Sequence, residues 1–371
     1  MILSDIGELN LISLLSSELK QTLPSQYVGI GDDAAVIPLS HTHSLVITTD
    51  LLTENVHFLK HLISPKDLGH KSLAVNLSDI AAMGGVPQSA FISLALPIST
   101  SVEWVKEVYQ GVSELAQKHN VLILGGDTTK SPKGIVINIT LVGTIKTSQC
   151  KLRSQAQVGD IICVTGHLGD SAAGLRLLLE TPSSKVTTDA ALIQTTSPFA
   201  RDTRPTPFTD TDQTHKDRSI IRTNYKSSLI QQHIRPYPFI HESQWLAQHP
   251  DVHAMMDLSD GLHLDLPKIL EQSSCGAEIE LSHLPLSKAL ISVAQEYGWD
   301  KFELALSGGE DYCLLLTVAP ENFATLVEGY NKKFNTSLWP IGKILPQALS
   351  LTYTYQNKPH PISLKGFEHF K

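Results

Sequence analysis

The sequence is poor in cysteine and in positive charge, and it has no long apolar run. Its four cysteines, Cys150, Cys163, Cys275 and Cys313, are scattered, with no C-x-x-C pair. That spacing excludes a clustered zinc site and reads as core thiols in a reducing cytosol. Lys and Arg total 29 against 37 Asp and Glu, a formal net charge of −8. A generic nucleic-acid binder, which needs a basic face to displace counterions from phosphates, is thereby excluded. The first twenty residues carry Asp5, Glu8 and Glu18 and no basic n-region, so no signal peptide is expected. No stretch of about 18 apolar residues occurs, so no membrane span is expected either. The protein is expected to be cytoplasmic. Also missing are a G-x-x-x-x-G-K-[ST] loop and a catalytic-loop H-R-D, which excludes a P-loop enzyme and a protein kinase.

What is present is enough to build a core. The chain has 371 residues, 42% of them hydrophobic, and at roughly 150 residues per domain the prior is two domains. Leu9, Ile12, Leu15 and Leu19 recur at helical spacing, with Ser4 placed to cap. Short β-like runs follow at 27–31, 34–39 and 44–52, then a helix over 67–84, a strand over 89–97 and a helix over 101–120. Strands at 121–127 and 134–145 flank a Gly-Asp-Thr turn. This alternation predicts a mixed α/β (α+β) layer structure, with a first domain over 1–147 and a second over 148–371. The second opens with a strand at 158–166 and a helix at 170–180. The string TGHLGDSAAGL between them is not G-x-G-x-x-G and reads as strand-turn-helix packing. Residues 181–228 are rich in Thr, Ser, Pro, Asp and Arg and read as an exposed polar insertion.

The chemistry-bearing residues sit in short turns at the ends of apolar segments: GIGDDAAV (29–36), TTDLLTENVHF (48–58), NLSDIAAMGG (76–85), LGGDTT (124–129), MDLSDGL (256–262) and LSGGEDYCLL (306–315). Each alone is explained by a turn or a helix cap. Together they place Asp33, Asp50, Asp79, Asp127, Asp257 and Asp260 where α/β folds carry binding groups. Carboxylates gathered in one place repel unless cations neutralise them. Oxygen-only donors, with the hydroxyls of Thr48 and Thr49 beside them, suit magnesium, which completes its shell with phosphate oxygens and water. The set points to a polyphosphate site bridged by metal.

In this order, GIGDDAAV, TTDLLTENVHF, KSLAVNLSDIAAMGG, LGGDTT, VTGHLGDSAAGL, DLSDGL and SGGEDY, with the ending LKGFEHF (364–370), resemble the thiamine-monophosphate kinase family. The resemblance spans about 1–180 and 229–371. It implies a two-domain fold like that of aminoimidazole-ribonucleotide synthetase, with the N-terminal sheet forming a homodimer interface. The implied reaction moves the ATP γ-phosphoryl group to thiamine monophosphate, with several magnesium ions and a further candidate cation, potassium. By the same resemblance Asp33, Thr48, Thr49, Asp50, Asp79, Asp127 and Asp257 are magnesium ligands, and Asp260 is a further metal-contacting acid. Gly126, Asp127, Arg153 and Ser259 contact ATP, and His57, Glu310 and Phe367 hold the thiamine substrate. Asp50, Asp127 and Arg153 are the catalytic candidates.

Two departures stand out. The 181–228 insertion is longer than the family usually carries, and Phe239 stands where relatives often have Arg. Two other readings remain open. One keeps the superfamily but changes the acceptor, to selenide or a purine precursor; the first cysteine being Cys150 argues against the selenium branch. The other is a magnesium-nucleotide module that binds without turnover.

Overall fold

Period-two alternation of apolar residues makes strands of the segments around residues 48, 91 and 141. The protein is described by a computed structural model that covers residues 2–19, 22–180, 215–362 and 364. There these segments are β2 (His43–Thr53), β3 (Val86–Leu96) and β5 (Val136–Lys146), joined by β1 (Ala35–Pro38) and β4 (Leu122–Lys130). The sheet order is β1-β2-β5-β3-β4, with β3 and β4 parallel and the other pairs antiparallel. Its inner face buries Val46, Ile92, Ile137, Ile139 and Leu141 beneath α2 (Pro65–Ala82), on which α3 (Val102–Lys118) packs. Helix α2 starts at Ser64, whose hydroxyl accepts from the Asp67 amide at 3.1 Å, with Pro65 at the first helical position. Ser101 caps α3 in the same way. The two helices cross backbone to backbone: a Cβ on Gly69 would lie 1.9 Å from the Val108 carbonyl oxygen, and one on Gly111 1.8 Å from that of Lys66.

The second sheet contains β6 (Ile161–Val164), β7 (Val252–Asp257), β8 (Cys275–Glu280), β9 (Leu314–Val318), β10 (Trp339–Pro346), β11 (Leu351–Tyr355) and β12 (Lys358–Pro359). Its order is β12-β11-β8-β10-β6-β9-β7, with β8 and β11 parallel. Strand β9, buried at every position, shows the near-continuous apolar run of a strand covered on both faces. The described helices of this half are α4 (Asp170–Glu180), α5 (His215–Ile234), α6 (Ile240–Ala247), α7 (Leu262–Ser273), α8 (Lys288–Tyr297), α9 (Lys301–Ser307) and α10 (Phe323–Phe334). The fold is therefore the expected mixed α/β architecture with two sheets. All four cysteines are free, and no described helix is long and apolar enough to cross a membrane.

Several local expectations resolve differently. The Gly-Asp-Thr segment expected as a turn lies inside β4 (Leu122–Lys130), held there by parallel pairing with β3. Residues 27–31 make only isolated bridges, Val28 to Val36 and Ile30 to Asp32, rather than a strand. In α1 (Leu3–Glu18) Ser4 lies inside the first turn, and the carboxylate of Asp5 accepts from the Ile2 amide at 2.7 Å instead. Its apolar stripe faces outward, with Ile12, Leu15 and Leu19 exposed. The polar insertion lies outside the described residues up to 214, but from His215 the chain is already α5; its helical packing on α4 and α8 outweighs a composition that looks loop-like. Phe239 is buried and meets the Tyr237 ring edge-on at 4.9 Å, so it serves core packing.

Candidate active site

Helix α2 is buried nearly all round, so its polar residues must find partners inside the protein. They do so against strands of both sheets. Asp79 accepts a short hydrogen bond from the Thr48 hydroxyl on β2. Ser78 donates to Asp257, at the end of β7, at 2.5 Å. Asn76 accepts from the Asp50 amide at 3.2 Å through its side-chain oxygen. Asp33, which follows the Gly-Asp turn ahead of β1, completes the group: Asp33, Asp79 and Asp257 each bring a carboxylate oxygen within 4.8 Å of the others. Arg153, from the link between the sheets, donates to both oxygens of Asp33, at 2.6 and 3.2 Å. Its own amide donates to Asp32 at 3.3 Å.

Burial and mutual repulsion decide the charge state here. Burial, with the charges of Asp50, Asp257 and Asp33 added, pushes the Asp79 carboxyl well above its ordinary range. Burial and Asp33 do the same to Asp257. Burial takes Asp50 up to about 6, and burial with the Asp33 charge takes Asp32 to about 6. Such a cluster holds protons unless a cation arrives.

The remaining expected residues are distributed around this centre. Thr49 follows Thr48 on the strand, so its side chain turns to the opposite face, where it meets Asn138 and Thr140. Asp260 accepts from Lys268 at 2.7 Å and stands half-open beside the cluster. Gly126, level with Asp50 in the register, stands three strands away, about 14 Å at ordinary strand spacing. Its φ is +152°, and a Cβ there would lie 1.7 Å from the Ile92 carbonyl oxygen, so only glycine allows β4 this approach. Asp127, beside it, is exposed on the sheet edge and pairs with Ser93 on the outer face. Within one chain, then, Asp127 and Thr49 are not brought to the carboxylate cluster. Near the far end of β3 and β4 lies an apolar cleft of about 430 Å³, lined by Leu96, Ile98, Val105, Lys106 and Tyr109 among others.

A second group forms at the other end of α2. Lys71 pairs with Glu310, which also meets His233. His57 accepts the Thr53 amide at Nδ1, 3.0 Å away, so a neutral ring carries its proton on Nε2. The Ser259 carbonyl accepts from the Glu310 amide at 2.7 Å. Phe367 lies outside the described residues. The amides at the start of α4 are already engaged inside the protein, since the buried Asp311 carboxyl accepts from Gly169 and Ser171 at 2.7 and 3.3 Å.

Family models named AIR synthase related protein, N-terminal and C-terminal domain, match residues 31–145 and 213–353. A thiamine-monophosphate kinase of Buchnera aphidicola is 36% identical over 342 residues, covering 92% of each chain. One of Haemophilus influenzae is 35% identical, covering 99% of this chain and 98% of its own. The chain belongs to the thiamine-monophosphate kinase family. It is therefore an enzyme, a kinase. A solved structure described as AaThiL complexed with AMPPCP and TMP superposes with a TM-score of 0.76 at 31% identity, over 100% of this chain and 99% of that one. The hydrogenase maturation protein HypE of Escherichia coli, at 18% identity and a TM-score of 0.63, shares the fold.

Sequence reasoning passed over Lys71, Asn76, Ser78, His233 and Lys268 as site residues. One signal was available: in α2, Ser72, Asn76 and Asp79 recur at spacings of four and three, a polar stripe in an otherwise apolar helix.

Proposed function

We propose that the chain transfers the γ-phosphoryl group of ATP directly to the phosphate of thiamine monophosphate, giving thiamine diphosphate and ADP in the cytoplasm, as the last step of thiamine diphosphate biosynthesis. The observation that carries this reading is the closure of Asp33, Asp79 and Asp257 within 4.8 Å, with Arg153 on one side and Glu310 two turns of helix along α2 on the other. The donors are all oxygens and repel one another, which fits several magnesium ions held by these residues with Asp50 and Thr48. Magnesium bound there would supply positive charge to the phosphate oxygens that meet in the transfer.

The chain's own residues supply the rest. The acceptor, a phosphate monoester with a second pKa near 6, is already an anion at neutral pH. No base is needed, and His57, with Nδ1 engaged by Thr53, is arranged to donate. Arg153 offers a forked guanidinium to phosphate oxygens. Gly126 and Asp127 on β4 are read as contacts of the nucleotide phosphates, and the apolar cleft at Tyr109 suits the adenine ring. The test is chromatography of a reaction with ATP, magnesium and thiamine monophosphate. Magnesium-dependent thiamine diphosphate with equimolar ADP is expected; bound ATP without product would leave a binding module or another acceptor.

A homodimer formed through the outer face of the first sheet is part of this reading. Leu122 and Leu124 on the edge strand β4 are 64% and 59% exposed, and Phe91 and Leu51 are exposed on the same sheet, apolar side chains that a second copy would cover. Light scattering is expected to give twice the 40.6 kDa chain mass. A single-chain mass at micromolar concentration would remove this part of the reading.

A further inference from the structure

Lys71 is a cation without access to water, only 1% exposed, and a buried ammonium persists only beside a compensating anion. That anion is Glu310. The Lys71 Nζ lies 2.9 Å from Oε1 and 3.0 Å from Oε2, so it bridges both oxygens. His233 Nδ1 lies 3.1 Å from Oε2 and 3.0 Å from the Ser171 hydroxyl. The Glu310 side chain nevertheless keeps 25% of its surface open. It is gripped from behind and free along one edge. Its backbone is left-handed, φ +64°, as is that of Tyr312, φ +50°, a conformation that non-glycine residues adopt only when held there. Hydrogen bonds from the Glu310 and Tyr312 amides to Ser259 and Leu258 hold it, at 2.7 and 2.9 Å.

We propose that Lys71 is a positioning residue for substrate recognition: from α2 it clamps the Glu310 carboxylate as an acceptor for the thiamine moiety and sets its distance from the carboxylate cluster. The inference rests on the reading of Glu310 as a thiamine contact. The distance follows from the helix. Lys71 and Asp79 are eight residues apart on α2, about 12 Å at 1.5 Å per residue, so one rigid element carries the clamp for the substrate and a ligand of the metal cluster. Because Lys71 cancels the charge of Glu310, recognition there works through an oriented acceptor edge more than through attraction of a cationic ring.

The groups facing Glu310 are Lys71 from α2, His233 from α5, His57 from the turn after β2, and its neighbour Asp311. Burial alone would push Glu310 up, but Lys71 and His233 outweigh it and hold the carboxyl below its usual range. Burial and Lys71 press His233 itself down to about 4, so at neutral pH the clamp's permanent charge is Lys71. Without it, burial raises Glu310, and a protonated carboxyl donates where a carboxylate accepts.

The test is steady-state kinetics of the full-length Lys71→Met variant between pH 7 and 9, above the ionisation of the substrate phosphate. The KM for thiamine monophosphate is expected to rise about 30-fold at pH 7, the scale of a lost charged hydrogen bond. It should fall again toward pH 9 as Glu310 ionises, while the KM for ATP stays near wild type and Lys71→Arg recovers most of the loss. If both KM values rise together with no dependence on pH, Lys71 is structural and the proposal fails. Should Lys71→Met not fold, Lys71→Met combined with Glu310→Gln removes both charges. It must keep the high KM and be flat with pH; a sloping profile in that pair also overturns the proposal. Glu310→Gln alone separates the two readings. An unchanged thiamine monophosphate KM there removes the substrate role of Glu310, whereas a raised one with a flat Lys71→Met profile removes only the role of Lys71.

Discussion

Asp79→Asn is expected to lower kcat by on the order of 10³-fold, the scale of losing a preorganised charge in a phosphoryl-transfer site, and to raise the melting temperature of the metal-free protein at pH 8. The two effects have one cause. Asp79 is half-buried and faces the charges of Asp50, Asp257 and Asp33, so an ionised carboxylate there is unfavourable in the empty cluster and needed in the loaded one. Asn keeps the shape and the bond with Thr48 while removing the charge. Asp127→Asn makes a useful contrast. It is expected to impair turnover as well, but Asp127 is exposed on the edge strand, so the metal-free melting temperature should stay put. Calorimetry of both variants beside a product assay measures the pattern. Near-normal turnover in Asp79→Asn, or a lower metal-free melting temperature, would sink the assignment of Asp79 to a metal cluster.

The second large effect is in the pH dependence of the metal-free protein. Asp50 and Asp32 are raised to about 6, and Asp79 and Asp257 are raised further. For such groups the folded chain binds more protons than the unfolded one. Their contribution to stability is complete below about 4 and is lost as pH climbs through the folded values. Three histidines act with the opposite sign: loss of hydration lowers the half-buried His70 and the buried His119 and His233 to about 4. Their contribution is complete above about 6.5 and is lost on acidification toward 4. The two sets oppose each other between pH 4 and 6.5, and above that window the carboxylates act alone. The melting temperature without metal is therefore expected to fall between pH 6.5 and 8.5, by about 1–3 °C for each kcal/mol lost. Saturating magnesium should abolish that fall, because it binds the ionised form only. A melting temperature that is flat or rising over this interval, with and without magnesium, would mean that the acids are not held against one another.

Much of this protein is legible in its sequence, for a physical reason. Strands such as β2, β3 and β5 and helices such as α2 and α3 bury one face or more, so apolar periodicity marks them to within a few residues. Asp33 follows a Gly-Asp turn and Asp257 closes β7, but Asp50 lies inside β2 and Asp79 inside α2, where their inward-facing positions, not a turn, bring them to the cluster. Strand alternation also separates Thr49 from Thr48, against the expectation that both hydroxyls serve the metal, since consecutive side chains leave by opposite faces. Local pattern was silent where long-range contact decides. The run from His215 looks polar, yet becomes helix against α4 and α8. Asp127 carries the same Gly-Asp mark as Asp33, yet the sheet order puts it three strands from β2 on the opposite face. Lys71 and Glu310 are 239 positions apart, and only the docking of α2 across both sheets joins them. Periodicity reports which faces are buried; which charge meets which, and whether a carboxylate holds its proton, depends on distances that only the folded chain sets.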